Sequence, residues 1–276
     1  MRLDELPALT MQDLTGKVAV VTGGGSGIGA GLCRVLAAEG MRVVVADVEL
    51  GRAQETRDAL HKRGAESIAV RTDVTKRAEI EALAEETRRA FGGVHLVCNN
   101  AGVATGGDVL AATESEWRWL LDVNVMGVVN GSQVFAPLLV AQGEGHILNT
   151  GSLGSFLPSP ELNAYTTSKA AVASYTAALR EYCEPKGVGV TLLCPGPVAT
   201  RLATSDRLRP GAQDKFKGSA HVLDPVMEMG IEPDACAALA LKGIRANAEY
   251  VFTHAEYEPM IASRFERVLR AAGKIG

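Results

Sequence analysis

Residues 17–29 read KVAVVTGGGSGIG, and this stretch decides the fold of the 276-residue chain. Its first part, Lys17 to Thr22, is a short apolar run rich in β-branched residues, which is typical of a buried strand. The glycines that follow let the backbone turn tightly, and a helical pattern runs on from about residue 28 to 39. A strand, a glycine loop and a helix in direct succession predict the first unit of an α/β sheet.

The same alternation continues along the chain. Further strands are predicted at 41–47, 67–72, 94–98, 145–150 and 188–193, with helices at 50–63, 76–91, 114–140 and 164–184. Strands without polar alternation, separated by helices, indicate a parallel sheet covered on both faces. Right-handed crossovers then give a doubly wound sheet, of about seven strands once a last strand in the tail is included. We expect one domain over residues 15–276, a variable loop at about 199–230, and a poorly ordered or partner-contacting lead-in at 1–14.

Composition narrows the functional classes. A formal net charge of −4 gives no electrostatic case for nucleic acid. No uninterrupted apolar run approaches the roughly 20 residues that span a bilayer, and the N-terminus has no basic region of a secretion signal. The five cysteines are widely spaced in apolar settings, which predicts buried thiols of a cytoplasmic protein. The scattered histidines give a metal site little support.

The glycine loop is a candidate phosphate site. Its spacing, Gly23-x-x-x-Gly27-x-Gly29, departs from the commoner G-x-G-x-x-G pattern, and a glycine loop alone can be no more than a tight turn. Its position between a buried strand and a helix favours a pyrophosphate at the helix N-terminus.

Asp47 closes the second strand about twenty residues after the loop. A carboxylate there can accept hydrogen bonds from both hydroxyls of an adenine ribose, although it can also be a solvated cap of the next helix. It would repel a 2′-phosphate, and the sequence offers no arginine to offset it, since Val48 follows, Ser26 holds the loop position, and Arg42 lies at the other end of the strand. We therefore expect NAD rather than NADP.

Tyr165 and Lys169 are four residues apart on a predicted helix, with Ser152 upstream. Residues at this spacing share a helix face, so the lysine ammonium can lie beside the phenol. A tyrosine pKa near 10 must fall by roughly three units for a base at neutral pH, which is about 4 kcal/mol. A lysine cation and a positive nicotinamide can supply it. Alone, the pair could equally be an exposed amphipathic helix.

Six motifs in order, covering about residues 14 to 249, make the chain resemble the short-chain dehydrogenase/reductase family. They are Thr22 to Gly29 (TGxxxGxG), Asp73-Val74, Asn99-Asn100-Ala101-Gly102, Asn124 in Asn-Val-Met-Gly, Ser152 with Tyr165 and Lys169, and Pro195-Gly196-Pro197-Val198 with Thr200. The resemblance implies a compact Rossmann-type fold. It also implies that NAD is held by Gly23, Ser26, Gly27, Ile28, Gly29, Asp47, Asp73, Val74, Asn100, Ala101, Gly102, Tyr165, Lys169, Pro195, Gly196, Val198 and Thr200.

The resemblance further implies a catalytic tetrad of Asn124, Ser152, Tyr165 and Lys169. Ser152 would hold the substrate oxygen, and Tyr165 would take or give the alcohol proton. Lys169 would lower the Tyr165 pKa and hold ribose hydroxyls. Asn124, through its backbone, would hold a water that connects Lys169 to solvent. Each has a structural alternative, as a turn residue, a helix-kink residue or a surface charge.

Substrate walls are expected from three segments: the one after Ser152, the loop after Gly102, and residues 199–230. The first carries Leu153, Gly154, Phe156, Leu157 and Pro158, and the last carries Leu202, Leu208, Phe216, Val222, Leu223, Val226, Met227 and Met229. Adaptable apolar side chains suit a bulky aromatic or alicyclic secondary alcohol or its ketone, or else they form a lid that packs on the body. The cations of this stretch could grip a carboxylate or phosphate of the substrate, but a solvated charged face is expected; they are Arg201, Arg207, Arg209, Lys215 and Lys217.

The tail from Glu232, with its segments 250–254 and 262–270, is similar to aryl-ether Cα-alcohol dehydrogenases, which oxidise a benzylic alcohol with NAD. The family resemblance implies a homodimer or homotetramer through the long helices of 120–140 and 164–184. Two alternatives stay open: an acyl-thioester or other carbonyl reductase, expected to use NADPH, and a catalytically silent nucleotide-binding protein.

Overall fold

The computed structural model describes residues 11–211 and 229–273, and it contains a seven-stranded parallel sheet. The strands are β1 (Val18–Thr22), β2 (Arg42–Asp47), β3 (Ser67–Arg71), β4 (Leu96–Asn99), β5 (Gly145–Thr150), β6 (Val188–Cys194) and β7 (Tyr250–Phe252). Their order in the sheet is β3-β2-β1-β4-β5-β6-β7. The predicted doubly wound fold is therefore confirmed, and the chain reverses its direction of winding between β1 and β4.

Eight α-helices in the described part of the chain cover the two faces. They are α1 (Gly27–Ala38), α2 (Leu50–His61), α3 (Arg77–Phe91), α4 (Glu114–Leu120), α5 (Gly127–Gln142), α6 (Asn163–Cys183), α7 (Pro233–Arg245) and α8 (Glu258–Ala272). One core cluster joins α1, α2 and α7 to the sheet, and a second joins α3, α5 and α6 to the opposite face. Strand side chains alternate between the two clusters, which is why the strands are apolar throughout.

The predicted long helix of 114–140 is broken in the middle. Between α4 and α5 the segment Leu121–Met126 is π-helical, with the Gly127 amide donating to the Asp122 carbonyl. Such a turn inserts one extra residue into the helix and is frequent at functional sites. By length and composition, Glu114–Gln142 could cross a bilayer, because it contains an 18-residue window with a mean hydropathy of 1.4. Half of that apolar window is buried inside the molecule, as in the core helix of a folded domain.

Two parts of the fold differ from the sequence expectations. Met11 and Leu14 are buried in the core under α1 and α7, so the described end of the expected lead-in is packed and not poorly ordered. Apolar side chains at 11 and 14 give the physical reason, because they cover core surface that the sheet alone leaves open. Helix α7 was not predicted, and it contacts α1 closely. The five cysteines are buried free thiols, as expected.

Candidate active site

The carboxyl ends of the strands, at the point where the winding reverses, open into a cleft of about 650 Å³. Ligands bind doubly wound sheets at this position. Nearly all the residues that the sequence singled out line it: Gly23, Ser26, Gly27, Ile28, Asp47, Asp73, Val74, Asn100, Ala101, Gly102, Ser152, Tyr165, Lys169, Pro195, Gly196, Val198 and Thr200. Gly29 and Asn124 lie behind the lining and support it.

The glycine loop leaves the N-terminus of α1 open toward the cleft. Ser26 is the N-cap residue, yet its side chain makes no capping hydrogen bond, and the first turn carries no acidic side chain. Unpaired amides and the helix dipole therefore point at a site suited to an anion. Gly29 makes the turn possible, because a Cβ at this position would lie 2.1 Å from the Gly23 carbonyl oxygen.

Asp47 is fixed beside this loop. One carboxylate oxygen accepts from the Gly25 amide at 3.0 Å and the other from the Glu49 amide at 2.9 Å. Burial raises the pKa of Asp47, while these two amides act in the opposite direction. The hydrogen bond to Gly25 ties the end of β2 to the glycine loop, so the carboxylate is held in place and not merely a solvated cap.

The expectation that no arginine lies near Asp47 is wrong. Arg52 acts electrostatically on Asp47, and both Arg52 and Arg207 form ion pairs with Glu49, at 3.2 and 2.6 Å. Arg52 comes from the first turns of α2 and Arg207 from the distant segment after β6, so position along β2 alone could not reveal them. Because both arginines pair with Glu49, the Asp47 carboxylate keeps its hydrogen bond to the Gly25 amide of the glycine loop.

A chain of hydrogen bonds joins the ends of β1, β4 and β5. The Thr22 hydroxyl accepts from the amides of Asn100 (3.0 Å) and Ala101 (3.1 Å), and the Asn100 side chain donates to the Thr22 carbonyl at 3.0 Å. Thr150 in turn donates to the Asn100 side chain at 3.3 Å. The glycine loop and the Asn100 segment are therefore held in one register.

Asp73 and Val74 form the outer rim beyond β3. Burial would raise the pKa of Asp73, but hydrogen bonds from Thr75 and the nearby Lys76 ammonium lower it below the usual value. The Val74 carbonyl accepts from the Asn130 side chain at 2.9 Å, which ties the rim to α5. The pair thus presents an ionised carboxylate and an apolar side chain to the cleft.

Ser152, Tyr165 and Lys169 meet at the centre of the cleft. The Ser152 hydroxyl lies close enough to the Tyr165 phenol to act on its pKa as a hydrogen-bond partner. The Lys169 ammonium lies 5.8 Å from the centre of the Tyr165 ring and donates to the Thr150 carbonyl at 2.9 Å. Tyr165 and Lys169 are both buried, at 9 and 3 % exposure, so the predicted pair is not an exposed amphipathic face.

The surroundings of this pair set its protonation. Burial raises the pKa of Tyr165, and the hydrogen bond from Ser152 only partly opposes it. Burial also lowers the pKa of Lys169 to about 8. In the protein without its cofactor, the Tyr165 pKa is therefore raised, whereas the sequence led us to expect a lowered one. The reason is that the dry pocket disfavours the charged form of both groups.

Asn124 lies in the π-helical segment, fully buried, behind Tyr165 and Lys169. Its side-chain oxygen accepts from the Val103 amide at 2.8 Å, and its amide group donates to the Val103 carbonyl and to Ser168, both at 2.9 Å. All of these contacts join the loop after β4 to α6. The Asn124 side chain therefore positions the backbone around the site and does not enter the cleft.

The substrate end has apolar walls, but not all the expected ones. Leu153, Gly154, Leu157, Pro158, Leu202 and Leu208 line the cleft as predicted, as does Val103 of the loop after Gly102. Trp119, Val123, Leu162, Tyr257 and Met260 join them. Phe156 instead packs against Tyr250 and Phe252 at ring-centre distances of 5.7 and 5.6 Å. Met229 is 83 % exposed, and the expected residues Phe216, Val222, Leu223, Val226 and Met227 lie outside the described residues.

Two polar contacts that sequence reasoning missed fasten the segment after β6 across the cleft. The Ser205 hydroxyl accepts from the Ala104 amide at 2.9 Å and donates to the Ala104 carbonyl at 3.0 Å. Arg209 pairs with Glu116 of α4 at 3.1 Å, with side chains only 11 and 5 % exposed. Arg209 was expected on a solvated face, and no local pattern reveals a partner almost a hundred residues away.

The base of the variable segment is also closed. The Ala199 amide donates to the Ile231 carbonyl at 2.9 Å, and the Ile231 amide donates to the Pro197 carbonyl at 3.1 Å. Residues 197–199 and Ile231, which flank the variable segment, therefore lie side by side. These contacts make the start of the segment part of the cleft wall.

The cleft as a whole suits a nicotinamide dinucleotide. The open amides at α1 match a pyrophosphate, the fixed Asp47 carboxylate matches ribose hydroxyls, and the Tyr165 and Lys169 donors lie at the opposite end. Such a group would supply hydride transfer when bound. Among the described residues, no cluster of three or more His, Cys, Asp or Glu side chains is placed to hold a metal ion.

Comparison with known proteins agrees with this geometry. The sequence profile described as short chain dehydrogenase matches residues 17–210. The chain is 30 % identical to a C alpha-dehydrogenase of Sphingobium sp. strain SYK-6, covering 94 % of this chain and 87 % of the relative. It is 27 % identical to a CLA biosynthesis dehydrogenase/reductase of Lactiplantibacillus plantarum, covering 94 and 95 %.

Solved structures extend the likeness to three dimensions. A short chain dehydrogenase/reductase from Burkholderia phymatum, crystallised in complex with NAD, superposes with a TM-score of 0.90 and 38 % identity. The match covers 95 % of this chain and 97 % of that one. The resemblance to aryl-ether Cα-alcohol dehydrogenases, first noted in the tail, holds over nearly the full chain. The chain belongs to the short-chain dehydrogenase/reductase family of oxidoreductases.

Proposed function

We propose that the chain interconverts a hydrophobic secondary alcohol, aromatic or alicyclic, and its ketone, with NAD(H) as the hydride carrier and Tyr165 as general acid and base. One observation carries this proposal: a buried phenol, beside the Ser152 hydroxyl and the Lys169 ammonium, faces an apolar space that is continuous with the Asp47 end of the cleft. A proton-transfer group, a dinucleotide site and an apolar substrate space are thereby combined.

The roles of the chain's own residues follow from their positions. Ser152 holds the substrate oxygen by a hydrogen bond and keeps it within reach of the Tyr165 hydroxyl. Tyr165 removes the alcohol proton in oxidation and returns it in reduction. Lys169, the neighbouring cation, favours the phenolate and holds ribose hydroxyls. Asn124 keeps the backbone behind them in place, and its π-helical turn is the proposed holder of a water that links Lys169 to solvent.

NAD is the proposed cofactor rather than NADP. The Asp47 carboxylate would repel a 2′-phosphate, and its hydrogen bonds to Gly25 and Glu49 keep it in position. Both arginines near it are engaged with Glu49. The Burkholderia phymatum relative was crystallised with NAD, which supports the same choice.

An acyl-thioester or other carbonyl reductase is the second candidate, and the Lactiplantibacillus plantarum relative, named a dehydrogenase/reductase, is compatible with a reductive direction. The same Tyr165 centre could reduce a ketone on a long apolar chain. Asp47 speaks against it, because such a reductase is expected to use NADPH. A catalytically silent nucleotide-binding protein would not need Ser152, Tyr165 and Lys169 to meet in one cleft.

The test is NADH formation with a panel of benzylic and alicyclic secondary alcohols, for the wild type and for Tyr165→Phe. We expect the variant to lose about a thousandfold in kcat/KM, within the range of general acid–base catalysis, and to bind NADH as the wild type does. Tyr182→Phe is the matched control, because Tyr182 is an exposed residue of the same helix. Inactivity of the wild type on every alcohol and ketone, with NADH bound, would favour the silent protein.

We also propose that the protein is a homodimer or homotetramer that acts in the cytoplasm without nucleic-acid or membrane partners. Apolar side chains are exposed on the helices expected at the interface, among them Leu121, Met126 and Tyr182. Sedimentation equilibrium would show the number of subunits, and a monomer at micromolar concentration would contradict the assembly.

A further inference from the structure

The C-terminal segment reaches the cleft although it follows the last strand. Tyr257, in the turn before α8, and Met260, in the first turn of that helix, line the same cavity as Tyr165. Met260 is 56 % exposed, so its side chain lies at the mouth of the cavity and not inside the core. Trp119, Leu202 and Leu208 line this cavity too.

This segment is attached to the loop after β6. The Gly196 amide donates to the Thr253 hydroxyl at 3.0 Å, and the Thr253 hydroxyl is hydrogen-bonded to the His254 ring at 2.7 Å. A Cβ at position 196 would lie 2.6 Å from that ring, so the two segments are in direct contact. The His254 ring in turn packs edge-on against Tyr257 at 6.2 Å. Through Thr253 and His254, the Pro195–Pro197 segment therefore holds the Tyr257 ring in position.

Helix α8 itself is weakly seated. None of its described residues is buried, and Phe265 makes its aromatic contact with Phe156 at 6.1 Å. Phe156 belongs to the segment that follows Ser152, so α8 rests on the wall beside the catalytic centre. A helix held by few apolar contacts can shift at small cost in free energy, which suits a wall that adapts to its ligand.

We propose that Tyr257 and Met260 form an adjustable wall that selects secondary alcohols carrying a large hydrophobic substituent beyond the reacting carbon. The inference rests on the proposed function and deepens it. One substituent of the reacting carbon faces the buried centre, and a large second one contacts Met260 and Tyr257 at the mouth. A methionine suits this position, because its flexible thioether follows the shape of different apolar groups.

Kinetics provide the first test, with benzhydrol as the bulky alcohol and cyclohexanol as the small one. We expect Met260→Ala to lower kcat/KM for benzhydrol five- to tenfold, mainly through KM, and to change cyclohexanol oxidation by less than twofold. Tyr257→Ala should act in the same direction. Leu269→Ala is the matched control, since Leu269 is a 69 % exposed residue of α8 that does not line the cleft. Equal effects on both alcohols, or none, would overturn the inference.

A second test needs no turnover. All five native thiols are buried, so Met260→Cys introduces one accessible thiol that Ellman's reagent can titrate. NAD with saturating benzophenone, a pair that cannot react because the cofactor is already oxidised, should slow its labelling at least fivefold, and the matched Leu269→Cys variant should label at an unchanged rate. If calorimetry shows that benzophenone binds but the thiol at position 260 is labelled at an unchanged rate, position 260 does not contact the ligand and the inference is wrong.

The two failures are distinguishable. If the wild type neither binds benzophenone nor oxidises any alcohol of the panel, the proposed function fails and the inference fails with it. If the wild type oxidises benzhydrol but the substitutions at 257 and 260 leave its kinetics and the labelling unchanged, only the inference fails.

Discussion

The two ends of the cleft are built in different ways. At the end of β1 and β2, the candidate residues are held directly by the ends of the strands and the glycine loop, as in the Asp47 bonds to the Gly25 and Glu49 amides. At the other end, the walls come from segments far apart in the chain and are joined by a few polar contacts, such as Ser205 with Ala104. The β1–β2 end is therefore a rigid end, suited to the cofactor. The other is an assembled end, built from distant segments and suited to the substrate.

This difference teaches where changes in the chain should act. Substitutions at the β1–β2 end should alter affinity and choice of cofactor, because the contacts there are made to the loop itself. Substitutions at the assembled end should alter KM and substrate choice and leave cofactor affinity unchanged. Lys169 lies between the ends, so it should affect both.

Lys169→Met should have the largest effect, about a thousandfold loss of kcat/KM together with weaker NADH binding. The loss follows from removing the cation beside Tyr165 and a donor to the cofactor. Steady-state kinetics and calorimetric NADH titration measure the two effects. The control is Lys62→Met on an exposed surface. Normal NADH affinity with lost turnover would assign Lys169 to proton chemistry alone.

The same variant should not be less stable at pH 7. Lowering the Lys169 pKa from 10.5 to about 8 by burial costs about 3 kcal/mol, offset in the variant by about 1–3 kcal/mol for the unpaired Thr150 carbonyl. The cost applies in full below pH 8, where the lysine is charged in both states, and vanishes above pH 10.5. Any advantage of the variant in urea unfolding should therefore shrink as pH rises from 8 to 10.

The sequence predicts these two ends to different degrees, for a physical reason. Gly23, Asp47, Tyr165 and Lys169 could be found because their roles depend on neighbours within one turn or one strand–loop–helix unit. The Arg209–Glu116 pair and the Met260 wall could not, because they depend on the path of distant segments. The raised pKa of Tyr165 in the free protein could not be predicted for a related reason: it follows from burial, which depends on the whole fold.

Asp47→Asn should shift the preference for NAD over NADP by roughly a hundredfold toward NADP, equivalent to about 2.7 kcal/mol. The amide keeps an acceptor for the loop but removes the charge that repels a 2′-phosphate. The ratio of kcat/KM with the two cofactors measures it. Asp58→Asn, an exposed change on the next helix, should leave the ratio unaltered. An unchanged ratio in Asp47→Asn would mean that other residues set the choice.

The pH dependence should differ between the two directions of reaction. Burial raises the pKa of Tyr165, so the phenol is protonated near neutral pH in the free protein. Oxidation needs the phenolate, and its kcat/KM should rise with pH by up to tenfold per unit below that pKa. Reduction needs the phenol and should fall at high pH. An oxidation rate that stays flat from pH 6 to 9 would remove Tyr165 as the base.

Glu116→Gln should have the smallest effect and the most selective one. Glutamine can replace the carboxylate in the capping box with Thr113, but it no longer neutralises the buried Arg209 across the cleft. The segment after β6 should then be held less firmly, and KM for a bulky alcohol should rise about fivefold, a modest share of the cost of breaking a buried pair. Calorimetry should show NADH affinity unchanged within a factor of two.

Glu114→Gln is the control on the same helix. Glu114 forms an exposed ion pair with Arg118, where both side chains are more than 70 % accessible, so its loss should change little. If Glu116→Gln weakened NADH binding as much as substrate binding, the two ends of the cleft would be coupled through α4. The separation between a rigid and an assembled end would then have to be abandoned, because one contact would set both.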